Sequence, residues 1–208
     1  MTPMQPGGPA YRAAKRTLDI VVAGLLLFGL APALGLIALL IYAEDPKAGV
    51  LFRQRRCGLG GRTFQLLKFR TMVRDADGLK EQLRERSVVA WPDFRLVDDP
   101  RVTRLGRVLR KTSIDELPQL VNVLRGEMTL VGPRPTSFAV DTYALWQTGR
   151  LDFRPGLSGP WQVDGRSSMD FVERCRLEIS FFARPSLRRE LWLLVRTVGT
   201  VVRRTGVA

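Results

Sequence analysis

The chain has 208 residues, long enough for one domain with a real core and an appendage. Its 33 Lys and Arg outweigh 20 Asp and Glu, giving a formal net charge of +13, so the expected partner is a polyanion, an anionic membrane surface or a phosphorylated ligand. There is no histidine and only two cysteines, Cys57 and Cys175. Imidazole catalysis, a cysteine-built zinc site and a disulfide framework are excluded, and a reducing compartment fits.

Residues 1–14 open with the Pro/Gly-rich stretch "MTPMQPGGPA", which predicts a disordered tail. The run Ile20–Ala43 then carries no charge. As a straight helix it would be about 36 Å long, enough to cross a hydrocarbon core of about 30 Å. It is too long for a signal-peptide core, and "YAEDPKAG" after it is no cleavage site. Pro32 sits mid-run, where it removes a donor and clashes one turn back. Basic residues lie on both flanks, with Arg12, Lys15 and Arg16 before and Lys47, Arg53, Arg55 and Arg56 after. Basic flanks prefer the cytoplasm, so a re-entrant helix–break–helix over 15–45 is preferred to a spanning helix with a tolerated proline. Residues 46–208 then form a small domain on the cytoplasmic face.

In that domain "VLFRQRRCGLGGRTFQLLKFRTM" predicts a β-hairpin whose loop holds Gly58, Gly60 and Gly61. Residues 74–90 predict a polar helix, "WPDFRLVDDP" a loop, and 102–109 an amphipathic helix with Arg104 and Arg107 on its polar faces. "LPQLVNVL" predicts a helix ending near Gly126, "VGPRP" an extended turn, and 154–167 a Gly/Pro loop. The last helix places Leu187, Leu191, Leu194, Val195, Val198 and Val202 near one face, for a core or for a lipid interface. The fold class is α+β, mostly helical, with a hairpin and interfacial helices.

"SIDELPQL" places the acids Asp115 and Glu116 amid Arg101, Arg104, Arg107, Arg110, Arg125 and Arg134. Ser113 and Glu116 fit a capping box, and Asp115 favours the helix dipole. A helix start also attracts phosphate, and donors with arginines would keep Asp115 ionised for use as a nucleophile or metal ligand. Paired hard oxygens beside a phosphate suit Mg²⁺.

The stretches "KRTLDIVVAGLLL", "FRQRRCGLGGRTFQLLKFRTM", "DDPRVTRLGRVLRKTSIDELPQLVNVLRGEMTLVGPRP" and "RPGLSGPWQVDGRS" resemble, in order, the bacterial sugar transferases, the monotopic phosphoglycosyl transferases. The resemblance implies transfer of a sugar-1-phosphate from a UDP-sugar to undecaprenyl phosphate, with UMP released, to start glycoconjugate or exopolysaccharide assembly. It implies Asp115 as nucleophile, with a covalent phosphosugar intermediate, and Asp115 and Glu116 as Mg²⁺ ligands. Lys68, Arg70, Arg110, Arg134, Arg154 and Gln162 would contact substrate. Lys15, Arg16 and Pro32 would set a re-entrant helix in the bacterial cytoplasmic membrane. The donor, the lipid acceptor and membrane lipid are then the partners, with no nucleic acid; a homo-oligomer is compatible. With about 14 residues before Lys15, the chain looks like the minimal form. It departs from the family at Ala31-Pro32, where Ser-Pro is usual, and at Glu178 in "LEISFF", commonly aspartate, to which no role is attached. The alternative is a membrane-tethered binder of nucleic acid or anionic lipid, which would make no use of the Asp–Glu pair.

Overall fold

The computed structural model describes residues 6–83, 85, 87, 96, 98–163 and 169–203. It is a mostly helical α+β fold with two small sheets. Helix α1 (Pro9–Glu44) starts with a proline in its first turn, where a missing N–H costs nothing. It begins inside the stretch predicted as disordered, and it runs through Pro32 without the interruption that a helix–break–helix would have. Strands β1 (Leu51–Cys57) and β2 (Thr63–Phe69) form the predicted antiparallel hairpin, pairing Leu51 with Phe69 and Cys57 with Thr63. Gly60 and Gly61 take positive φ at its turn, the conformation glycine reaches without strain.

Helices α2 (Ala76–Gln82), α3 (Arg104–Lys111) and α4 (Gln119–Arg125) follow. Thr103 caps α3 by accepting the Gly106 N–H, and Gly126, left-handed at φ 79°, ends α4 as the sequence predicts. Helix α2 is shorter than predicted. Part of 83–90 and most of the predicted loop "WPDFRLVDDP" lie outside the described residues. The sequence shows no sign of the parallel pair β3 (Thr129–Val131) and β4 (Gly156–Ser158). Just beyond β3 the backbones nearly touch: a Cβ on Gly156 would lie 2.0 Å from the Gly132 nitrogen, so no larger residue fits. Helices α5 (Pro160–Val163), α6 (Phe171–Phe182) and α7 (Leu187–Arg203) complete the chain.

The main core gathers Leu66, Leu120, Val123, Met128, Leu130, Phe182 and Leu193, and α1 adds the buried Ala23. A second cluster joins Ile41 of α1 to Phe69 and Leu109, with Leu34 and Ile37 packed on it. The helix is thus docked at both ends. In between and outward it exposes Leu25, Phe28, Leu36 and Leu39. On α7 Leu193 is buried and Leu194 packs on the core, while Leu191, Val195 and Val198 of the predicted stripe face out, so the stripe is only partly core.

Polar bonds fix the start of α1. The buried Asp19 accepts from the Thr129 hydroxyl (2.7 Å) and the Leu130 N–H (2.9 Å). Arg16 donates to the Val123 and Leu124 carbonyls at 2.6 and 2.7 Å, at the end of α4, where the Val123 carbonyl also accepts the Gly126 N–H. Lys15 donates to the Val131 carbonyl and to Glu190 of α7, which also accepts from Tyr11. Lys15 and Arg16, read from sequence as membrane-flanking cations, are engaged with the domain itself.

Candidate active site

Asp115 and Glu116 lie in a single 3-10 turn, Ile114–Glu116, between α3 and α4. Ser113 before it is left-handed at φ 57°, the one non-glycine residue with positive φ among those described. Such backbone costs about 1–3 kcal/mol and is found at functional sites more often than elsewhere. The predicted capping box does not form. The Ser113 side chain makes no cap, and Glu116 is drawn away by two cations from distant segments.

Those cations are Lys68 on β2 and Arg134 in the loop after β3. Lys68 Nζ donates to Glu116 Oε1 at 2.6 Å. Arg134 grips both oxygens, Nη2 to Oε1 at 2.6 Å and Nη1 to Oε2 at 3.3 Å, the forked geometry that suits guanidinium and carboxylate. Burial would raise the Glu116 carboxyl, but Arg134 and Lys68 outweigh it and hold the group well below the usual carboxylate range. Glu116 is therefore an anion whose charge is already matched.

Asp115 is different. It is buried, yet among the described residues its carboxylate accepts no hydrogen bond, and Lys68 Nζ stands 4.0 Å from Oδ2. Burial pushes its carboxyl up from the ordinary value. Lys68, Arg110 and Arg134 oppose this, and the Glu116 charge adds to it. The sequence has neighbouring donors and arginines favour the ionised form; the cations do act in that direction, and burial outweighs them. A partly desolvated, unbonded carboxylate beside two or three cations is a reactive one, and an incoming phosphate would find those cations in place.

The other predicted residues separate. Arg110, half-buried on α3, donates from Nε to Thr71 Oγ1 at 2.9 Å and feels the Asp115 charge. Arg70 donates to the Gly49 carbonyl and lies over the Phe52 ring. Arg154 is not brought to the pair. It lines a different cavity with Lys15, Arg16 and Glu190, where its buried Nε finds no partner among the described residues. Gln162 sits in α5 against the Gly159 turn, its buried Oε1 also without a partner among the described residues. Sequence reasoning missed what lies behind Arg134: a cavity lined by Arg56, Thr136, Phe138, Arg150, Trp161 and Glu178. The available signal was Glu178 itself, a charge within the apolar run "LEISFF".

Among the described residues no group of three or more Asp, Glu, Cys or His could hold a metal ion as a protein cage. The donor set fits Mg²⁺ in its other mode, in which one or two carboxylates and substrate phosphates hold an ion that keeps several waters. Asp115 has the open oxygens for this, and Glu116 is mostly committed to its cations.

Similarity to known proteins bears on this site. A family model described as bacterial sugar transferase matches residues 10–204. The chain is 45% identical over 212 residues to a UDP-glucose:undecaprenyl-phosphate glucose-1-phosphate transferase of Caulobacter vibrioides, covering 96% of this chain and 75% of that protein. It is 37% identical to the exopolysaccharide production protein ExoY of Sinorhizobium fredii, covering 93% of this chain and 87% of the other. With the galactosyl transferase CpsE of Streptococcus agalactiae it shares 39% identity over 95% of its own length, but spans only 44% of that protein.

Proposed function

The chain belongs to the bacterial sugar transferase family, and from that premise we propose that it transfers a sugar-1-phosphate from a UDP-sugar to undecaprenyl phosphate at a membrane. The observation that carries the proposal is the unequal state of the two acids: Glu116 neutralised by Lys68 and Arg134, Asp115 buried and unbonded beside them. In the first step an Asp115 oxygen attacks the sugar-bearing phosphorus. The new bond is Asp115 O–P, the bond broken is that phosphorus to the bridging oxygen, and UMP leaves with the bridging oxygen and the electron pair. In the second step a phosphate oxygen of the lipid attacks the same phosphorus and Asp115 leaves as carboxylate. The product is a sugar on a polyprenyl diphosphate, the first unit of an exopolysaccharide or glycoconjugate.

The residues present suit those steps. Arg134 presents guanidinium N–H groups between Glu116 and the cavity behind it, where the remainder of the donor would sit. Lys68, within reach of both carboxylates, would follow charge as it develops on the transferred phosphoryl group. Mg²⁺, held by Asp115 and the donor diphosphate with Glu116 alongside, would neutralise charge on the leaving group.

The docking of both ends of α1 on one domain supports re-entry, with both basic flanks on the cytoplasmic side of the bacterial inner membrane and the outward apolar faces of α1 and α7 in lipid. The alternative of a basic tether for nucleic acid or anionic lipid is not favoured. Several of its arginines are engaged inside the fold, Arg101 on Asp99, Arg134 on Glu116 and Arg150 on Glu178.

The decisive experiment supplies the full chain in membranes with UDP-glucose or UDP-galactose and undecaprenyl phosphate. UMP release and an adduct on Asp115 formed by donor alone are expected. Unchanged UMP release by Asp115→Asn would overturn the assignment.

A further inference from the structure

Glu178 is completely buried in α6, 44 residues from Arg134 in sequence, and takes no part in the chemistry above. Its carboxylate is fully used. Oε1 accepts the Arg134 backbone N–H at 2.8 Å and the Trp161 indole N–H at 3.1 Å, and Oε2 accepts Arg150 Nη2 at 2.7 Å. The same Arg150 nitrogen donates to the Arg134 carbonyl at 2.7 Å. The main chain of Arg134 is therefore held on both sides, its N–H by Glu178 and its carbonyl by Arg150, and the two holders are ion-paired to each other.

Local sequence makes this clamp effective. Arg134 lies between Pro133 and Pro135, so its own backbone is confined to extended conformations. Bonds to its N–H and its carbonyl then restrain both the displacement of the loop and the rotation of the Arg134 peptide planes. A buried carboxylate is expensive unless paired and hydrogen-bonded, and replacing such a pair with apolar groups is often neutral or stabilising. A buried pair is thus weak evidence of a role in stability, and its hydrogen bonds to the Arg134 N–H and carbonyl point to a role in positioning.

We infer that Glu178 and Arg150 are positioning residues: they fix the Arg134 backbone so that its guanidinium meets Glu116 and, on the reading proposed above, the donor diphosphate. Both lie buried at the back of the cavity assigned to the donor, their polar atoms spent on each other, on Trp161 and on the Arg134 backbone, and neither touches the reacting atoms. A displacement of about 1 Å at a group that contacts phosphate is enough to cost about a hundredfold in rate.

The test uses the full chain in lipid nanodiscs with ¹⁵N-labelled arginine, the Arg134 Nε–H resonance being identified by its loss in Arg134→Lys. In Glu178→Gln, and separately in Arg150→Lys, that resonance should move as it does in Glu116→Gln, while the melting curve stays cooperative. Glu178→Asp, which retains the charge, should restore it in part. Should Glu178→Gln fail to fold, Arg150→Lys carries the same measurement. An Arg134 resonance that stays at its wild-type position in the folded variants overturns the inference. A second arm measures UDP binding by calorimetry. Glu178→Gln should weaken it about tenfold, and should weaken it no further when Arg134 is already alanine. Additive losses in the double variant overturn the inference, because they place the effect outside Arg134. A wild-type chain that binds no UDP sinks the donor reading, and the resonance arm still decides the clamp.

Discussion

Lys68 Nζ stands 2.6 Å from Glu116 Oε1 and 4.0 Å from Asp115 Oδ2, so one ammonium group divides its attention unequally between neighbouring acids. Glu116 is stabilised as an anion and Asp115 is not. The two should therefore respond in opposite ways to neutral replacement.

Asp115→Asn should abolish turnover without loss of stability. A carboxyl whose pKa is raised by folding contributes stability below its unfolded value and loses it as pH rises through the folded one, so ionised Asp115 is a burden at neutral pH. The amide removes that burden, and the melting temperature should hold or rise by about 2–4 °C. A clear fall in the melting curve would show that Asp115 is structural.

Glu116→Gln should do the reverse. Its depressed carboxyl contributes stability above the unfolded pKa, lost only as pH falls through the lower folded value. Loss of the charge leaves Lys68 and Arg134 facing each other, at a cost of about 2 kcal/mol in this partly exposed setting. Thermal or denaturant unfolding beside the wild type checks the figure.

Lys68→Met removes the cation that most opposes the burial of Asp115. The Asp115 pKa should then rise further, and the acid limb of the rate profile should move to higher pH. Initial rates of UMP release across the acidic range would show it. A limb that stays in place means that the titrating group is not Asp115.

Two kinetic features follow from the proposed route, one from the aspartyl intermediate and one from Mg²⁺. Initial-rate lines should be parallel, since UMP departs before the lipid attacks. Excess chelator should stop the reaction and added Mg²⁺ restore it. Intersecting lines remove the intermediate, and activity in chelator removes the metal.

For the membrane segment, cysteines placed at Gly8 and Lys47, in a background lacking Cys57 and Cys175, should both resist an impermeant thiol reagent in intact cells and react after permeabilisation. Labelling of position 8 from outside, with position 47 protected, would mean that α1 spans.

How much of this was visible beforehand depended on the range of the interaction. The hairpin and α4 were legible because alternation, glycine turns and the left-handed Gly126 act over a few residues. The Ser113–Glu116 capping box was a sound local pattern, overridden by partners 48 and 18 residues away. Strands β3 and β4, three residues each, are too short to show a period, and they pair across chain that no local rule connects. Arg134 belonged to the site and Arg154 did not, although both sit beside prolines in basic sequence. Tertiary packing distinguishes them: on either side of the close Gly132–Gly156 approach, Arg134 meets Glu116 and Arg154 lines the cavity beside α1.

The engagement of α1 with the domain has a practical side. An anchor that merely tethers can be cut off to leave a soluble enzyme. Here Ala23 is part of the core, Asp19 is the acceptor for the Leu130 N–H, and Arg16 closes the end of α4, the helix that the Asp115 turn leads into. Truncation at residue 45 would strip all three, leaving buried backbone groups unmatched at about 1–3 kcal/mol each and apolar surface bare. The truncated domain should precipitate or melt early, so purification has to keep the anchor and its detergent or lipid as part of the protein.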